Sequence, residues 1–269
     1  MRPVSVVVRA RDEEAGIGRT LDLIAAQDHE GPVETIVVDS GSTDRTVAIA
    51  EDRGARVIPI PAASFTFGGA LNTGCEAASG ELIVALSAHA YPTDPAWLGR
   101  LVAAFDDERV ACACGQGHRP GGEPLTAPLL QDAALARRHW LYGYSNAAGG
   151  FRADLWRERP WRTDMPGSED KEWALHWMDR GRLTLIDPAL CVEHDHSQDP
   201  LADQYRRARR ELEGFAMMLD LPRYGLRDLA REWWTERDAY ASPVRARLSH
   251  RRAVRLAGGY VGRRRAWRD

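Results

Sequence analysis

Short apolar runs alternate with helical periods through the first half of the chain. Val4–Val8 is an apolar run, and Gly16–Gln27 repeats apolar residues at helical spacing through Ile17, Leu21, Ile24 and Ala25. A strand at Glu34–Val38, a helix opening at Asp44 and a short strand at Arg56–Pro59 follow. The series continues with a helix at Ala70–Ala78, an apolar strand at Leu82–Leu86, a helix at Ala96–Phe105 and a strand at Val110–Cys114. Apolar strands alternating with amphipathic helices predict an α/β fold, a mostly parallel sheet with helices on both faces. Ligands of such sheets sit beyond the carboxyl ends of the strands, which directs attention to the residues after Val8, Val38 and Leu86.

The second half is less regular. Gly115–Pro128 is rich in Gly and Pro and reads as a loop. Helical patterns follow at Leu129–Leu141, Glu169–Arg180 and Leu201–Leu219, with strand-like Leu183–Ile186 and Ala189–Glu193 between the last two. From Leu226 onward one or two amphipathic helices are expected. The organisation predicted is a nucleotide-binding half at 1–115, an acceptor and catalytic half at 116–198, and a helical extension at 199–269.

Composition changes this picture in two places. Four cysteines without CxxC spacing exclude a disulfide framework and argue against a thiolate zinc site, so reduced, mostly buried thiols of a cytoplasmic protein are expected. No run is long enough for a membrane span, and no signal peptide is expected ahead of the strand at Val4. Net charge is −3, but Pro243–Asp269 holds nine Arg against the single acid Asp269, a local +8, leaving −11 for the remainder. A basic tail on an acidic body fits contact with phosphate or the inner face of a membrane, or a solvated chain end. Nucleic acid is not an expected partner, because no array of stacking aromatics accompanies the arginines.

Gly16-Ile17-Gly18 and Asp39 invite comparison with a dinucleotide-binding fingerprint. Seven residues separate the first strand from Gly16, and Leu21 stands where the third glycine belongs, so that reading fails. A different set of segments carries the chemistry. Val4–Glu14 (VSVVVRARDEE) and Ile36–Thr46 (IVVDSGSTDRT) resemble the first two strands and loops of the family-2 inverting glycosyltransferases, which have the GT-A fold. Phe67–Gly74 (FGGALNTG), Ser145–Arg152 (SNAAGGFR), Glu169–Ala174 (EDKEWA) and Val192–Ser197 (VEHDHS) resemble, in order, four further elements of the rhamnosyltransferase-like branch.

The resemblance implies a role for each element. Asp39, at a strand end, would accept the imide N–H of uracil or thymine; capping the turn that follows is its alternative use. Arg9, Ala10, Arg11 and Glu13 would border base, ribose and phosphate, and Gly69, Asn72, Ser87 and His89 would complete the donor site. Asp170 would be the general base that removes the acceptor hydroxyl proton in a single displacement, with Glu169 beside it. Asn146, Arg152 and Trp173 would face the acceptor. His194 and His196, one residue apart on an extended segment, would turn to one face and join His89 on a divalent metal, Mn or Mg.

One departure from the family stands out. Ser87-Ala88-His89 occupies the place of the Asp-x-Asp motif whose carboxylates hold a metal against the donor diphosphate. Two solutions are open: a metal held by imidazoles, or a protonated His89 against the diphosphate without metal. The function expected is transfer of a sugar from a UDP- or dTDP-sugar to a hydroxyl of a lipid-linked or cell-envelope glycan or a specialised metabolite. A non-catalytic sugar-nucleotide-binding module is the alternative.

Overall fold

The computed structural model describes residues 2–197, 199–221, 223–235 and 249–265, which form two compact units. The first comprises Met1–Thr163 and Trp173–His194, and the second Asp164–Glu172 and Asp195–Asp269. The second unit therefore takes in a nine-residue segment that the expected boundary at 198 assigned to the first.

The first unit is built on strand β1 (Val4–Ala10). Val4, Val6, Val7 and Val8 are all buried, as a strand covered on both faces requires, and β-branched side chains suit that pleated, two-sided environment. Helix α1 (Ile17–Ala25) turns Ile17, Leu21 and Ile24 inward. Strand β2 (Val33–Asp39), α2 (Thr46–Asp52), β3 (Arg56–Pro59), α3 (Phe67–Ala77), β4 (Leu82–Ser87), α4 (Trp97–Ala103) and β5 (Val110–Cys114) follow in the expected order. β6 (Leu129–Gln131), α5 (Ala133–Arg138), β7 (Ala148–Arg152), α6 (Ala153–Glu158) and β8 (Leu183–Ile186) complete the unit, and α7 (Glu169–Met178) begins in the segment belonging to the second.

The sheet has eight strands in the order β3-β2-β1-β4-β7-β5-β8-β6. β1 pairs in parallel with β2 on one side and β4 on the other. Trp97, Leu98, Leu101 and Phe105 pack under one face. A cluster of aromatic rings lies elsewhere in the core, with Trp161 and Trp173 at 4.7 Å between centroids and Phe151 edge-on to both.

Two expectations need correction. Leu129–Leu141 is not one helix: Leu129–Gln131 pairs antiparallel with β8, and α5 starts only after Asp132, whose carboxylate accepts the Leu135 amide at 2.8 Å. Ala189–Glu193 is not a strand but a single 3₁₀ turn and an extended stretch with one bridge, Tyr91 to Glu193. β7, which lacked any strand pattern, runs antiparallel between β4 and β5. Its glycines explain the missing pattern. A Cβ on Gly149 would lie 2.7 Å from the Ser145 carbonyl oxygen, so the residues that fit there are those without β propensity.

The second unit contains α8 (Leu201–Met218), α9 (Leu226–Thr235) and α10 (His250–Arg265). α10 lies close along α8 because Gly258 and Gly262 face it; a Cβ on either would come within 2.5 Å and 2.2 Å of the Tyr205 and Arg209 carbonyl oxygens. The described part of the basic tail, His250–Arg265, is therefore a packed helix. Arg252 is fully buried and donates to the carbonyls of Glu232 and Trp233 at the end of α9, where a cation complements the helix dipole. Arg263 lies 4.0 Å over the Tyr224 ring and pairs with Glu232. Arg245, Arg247 and Arg268 of the expected basic tail lie outside the described residues. Among the described residues, no helix is long and apolar enough to cross a membrane.

Candidate active site

Strand register brings the first set of expected residues to one edge. Ala10 is the partner of Asp39 and Arg9 the partner of Ser87, so the carboxyl ends of β1, β2 and β4 line up. The loops that leave these ends are bound to each other. The Asp12 carboxylate accepts the Thr43 amide at 2.7 Å, the Asp12 amide donates to Ser42 Oγ, and the Glu14 amide donates to Asp44. The Glu13 amide donates to Thr46 Oγ1 at 2.7 Å. Asp12 adopts a left-handed φ of 52° to make these contacts, a conformation Asp tolerates better than most residues. Burial alone would push the Asp44 carboxyl up, but hydrogen bonds from Thr46 and the Glu14 amide outweigh it and hold Asp44 below the usual carboxylate range.

Asp39 is 4% exposed. Its carboxylate accepts the amides of Gly41 and Ser42 at 3.1 Å and the Ser42 hydroxyl. These bonds fix its orientation at the edge, and a carboxylate has lone-pair capacity for a further donor.

His89 stands just beyond β4. Its Nδ1 is 2.9 Å from Glu13 Oε1 and its Nε2 is 3.4 Å from Ser87 Oγ. The ring stacks on His194, centroids 5.0 Å apart, and a ring nitrogen of each lies within 4.8 Å of the other. Two imidazoles, one backed by a carboxylate, form a donor set suited to a divalent metal of intermediate softness.

In the second unit Glu169 is 4% exposed and Asp170 is half-buried at the start of α7. The preceding Ser168 has a φ of 62° and donates through Oγ to the Glu211 carbonyl, and Gly167 meets Gly214 of α8. The acidic pair is thus held to α8. His196 also belongs to this unit. Asp199 lies 2.9 Å from its Nδ1, and Nη2 of Arg207 lies 2.8 Å from Nδ1 and 2.9 Å from Nε2. Within this unit Asp199 and Arg207 are the polar neighbours of the His196 ring. Sequence reading missed Arg207, which looks like one more surface arginine of an amphipathic helix.

The family model for glycosyl transferase family 2 matches residues 5–175, well over half of the chain and all of the edge just described. The chain belongs to glycosyl transferase family 2. Solved structures agree on the fold. A mannosyltransferase from Pyrobaculum calidifontis, in complex with GDP-Man and Mn²⁺, superposes with a TM-score of 0.68 at 20% identity, over 97% of this chain and 85% of that one. Glucosyl-3-phosphoglycerate synthase from Mycobacterium tuberculosis, in complex with Mn²⁺, UDP and glucosyl-3-phosphoglycerate, gives 0.60 at 23% identity, over 83% and 82%. A comparison with curated protein sequences finds no match. The fold is GT-A, and the protein is a nucleotide-sugar-dependent glycosyltransferase.

Several residues expected in the site of this glycosyltransferase have other tasks. Asn72 is a clamp: its Nδ2 donates to the Trp161 carbonyl at 2.9 Å, and its Oδ1 accepts from Trp156 Nε1 and the Trp161 amide. Gly69 donates its amide to the Thr66 cap, and the adjacent Gly68 is required because a Cβ there would lie 2.1 Å from the Arg162 carbonyl oxygen. The glycine pair therefore serves helix packing. Arg152 is the partner of Leu82, at the opposite end of the sheet from Ser87, and donates to the carbonyls of Val110, Phe105 and Asp107. Trp173 is fully buried and donates to the Arg159 carbonyl, which makes it core rather than acceptor contact.

Arg9 and Asn146 do lie at the correct edge. Arg9 donates to the Phe67 and Asn146 carbonyls, tying α3 and the 146 loop to β1, while Arg11 is exposed beside Asp12. Replacing Asn72 by Ala removes both ends of the tryptophan clamp. The expected result is a loss of about 1–3 kcal/mol in urea unfolding, the scale of an unsatisfied buried group, with UDP affinity unchanged. Wild-type stability with weakened UDP binding would return Asn72 to the donor site.

Proposed function

We propose that the protein transfers a sugar with inversion from a UDP- or dTDP-sugar to an acceptor hydroxyl, as a member of the rhamnosyltransferase-like branch. The observation that carries the donor half is the alignment of Ala10, Asp39 and Ser87 at one strand edge, with both loops bound to each other. A carboxylate fixed there accepts the imide N–H of uracil or thymine; adenine and cytosine offer no such donor. The P. calidifontis relative holds GDP-Man and the M. tuberculosis relative holds UDP, so base preference varies across this fold.

Asp170 is the general base in this reading. It takes the proton of the acceptor hydroxyl as that oxygen attacks the anomeric carbon, in one displacement with no covalent intermediate. Glu169, beside it, orients the acceptor. His89 and His194 hold a divalent cation. Bound there, a divalent cation would neutralise the departing nucleoside diphosphate. Imidazole ligands favour Mn²⁺ over Mg²⁺, which prefers oxygen. A phosphate-bearing or membrane-embedded acceptor fits the +8 charge of Pro243–Asp269, of which Arg264 is an exposed member.

Asp170→Asn is expected to lower transfer or donor hydrolysis at least about 100-fold while leaving UDP affinity intact, the scale of a missing general base. Wild-type-like turnover in that variant would end the assignment of Asp170 as the base. Asp39→Ala is expected to weaken UDP binding, read by calorimetry, by about 1.5–3 kcal/mol, the range for a hydrogen bond to a charged group. Unchanged affinity in a folded variant would leave Asp39 as a turn cap.

A further inference from the structure

We infer that Glu13 is the positioning residue for His89: its carboxylate holds the Nδ1 proton, so that Nε2 carries the lone pair for a divalent cation. The inference rests on the proposed metal role of His89 and departs from the donor-contact role expected for Glu13.

The backbone and side chain of Glu13 have separate duties. The amide donates to Thr46 Oγ1 and secures the loop, whereas the side chain reaches His89 with Oε1 2.9 Å from Nδ1. Both side chains are partly buried, at 26% and 32% exposed, which limits competition from water for this bond. At Nε2 the neighbour is Ser87 Oγ, 3.4 Å away, a hydroxyl able to donate to an unprotonated nitrogen. The stacked His194 ring, inclined by only 17°, limits rotation of His89 about its Cβ–Cγ bond. Ring plane and tautomer are therefore both constrained, by His194 and Glu13 respectively.

The arrangement also answers the loss of carboxylates from the Ser-Ala-His segment. A neutral imidazole brings no negative charge to a cation. A carboxylate hydrogen-bonded to the far ring nitrogen raises the basicity of the ligating one and returns negative charge to the site from one bond further out. Glu13 comes from the first loop rather than from the strand that ends in Ser87. The charge that relatives carry on β4 is here supplied by the neighbouring loop.

The test reads the tautomer without metal and metal affinity without turnover. Long-range ¹H–¹⁵N correlation spectra of the apo protein, with the His89 signal assigned by its loss in His89→Gln, are expected to show a proton on Nδ1 and none on Nε2. Glu13→Ala should release His89 to an exchanging mixture of tautomers. Glu13→Gln, whose amide oxygen accepts the same proton, should keep the wild-type tautomer. Mn²⁺ titration in the presence of UDP should show affinity about 10- to 100-fold weaker in Glu13→Ala, the usual effect of removing such a partner, with a smaller loss in Glu13→Gln.

A purely structural role for Glu13 would not separate the two variants by His89 tautomer. A wild-type His89 protonated on Nε2, or a tautomer indifferent to Glu13→Ala, would overturn the inference. So would Mn²⁺ affinity equal in wild type and Glu13→Ala, or a loss of metal-free UDP binding in Glu13→Ala with the tautomer unchanged, which would return Glu13 to the donor. Failure of wild-type protein to bind Mn²⁺ at all would overturn the metal reading itself. The apo spectra distinguish that failure, because they report the Glu13–His89 bond without metal.

Discussion

Everything at the candidate site depends on the register of β1 between its two parallel neighbours. Pairing Val8 with Val37 on one side and with Leu86 on the other brings Ala10, Asp39 and Ser87 to a common edge. A slip of one residue in either pairing would turn the alternate side chains to the other face, because strand periodicity is two. Burial of valines on both sides of β1 opposes such a slip. The hydrophobic effect thus fixes the spacing of polar groups that take no part in the core.

Beyond the strand ends, hydrogen bonds take over from packing. Asp12, Glu14, Ser42, Thr43 and Asp44 bind the first loop to the second, and Arg9 ties β1 to α3 and the 146 loop. Much of the polar chemistry near the edge is consequently internal. Asn72, Arg9 and the Asp12 carboxylate hold protein to protein, and Asp39 itself caps a turn while facing the edge. The Glu13–His89 contact joins a side chain of the first loop to one just beyond β4.

The sequence made the nucleotide half legible because its signals are local. Valine runs, the seven-residue gap before Gly16 and an Asp at a strand end each report backbone geometry within a few positions. The second half was less legible for physical reasons. β7 is glycine-rich because neighbours leave no room for side chains, so it carries no strand pattern. The three-residue β6 is too short for periodicity to register, and Leu129–Gln131 merges with the helix capped at Asp132. Site residues misassigned from sequence share one feature, which is that long-range contacts determine their role. Asn72 meets tryptophans more than eighty positions away, and Arg152 sits at the end of the sheet opposite the site. The arginine-rich tail was read as surface charge, yet Arg252 is buried against α9 because α10 packs back onto α8. Cys75, Cys112 and Cys114 are buried as expected, whereas Cys191 is exposed.

We propose that this glycosyltransferase, with Ser87-Ala88-His89 in place of an Asp-x-Asp segment, handles its donor through Asp39 and an imidazole-bound cation. The most direct test is a crystal structure grown with UDP and Mn²⁺, with data collected at the manganese absorption edge. An anomalous peak is expected at coordination distance from His89 Nε2 and a His194 ring nitrogen, with the uracil imide against the Asp39 carboxylate. UDP bound at that edge with no anomalous peak beside either histidine, or uracil seated away from Asp39, would contradict it.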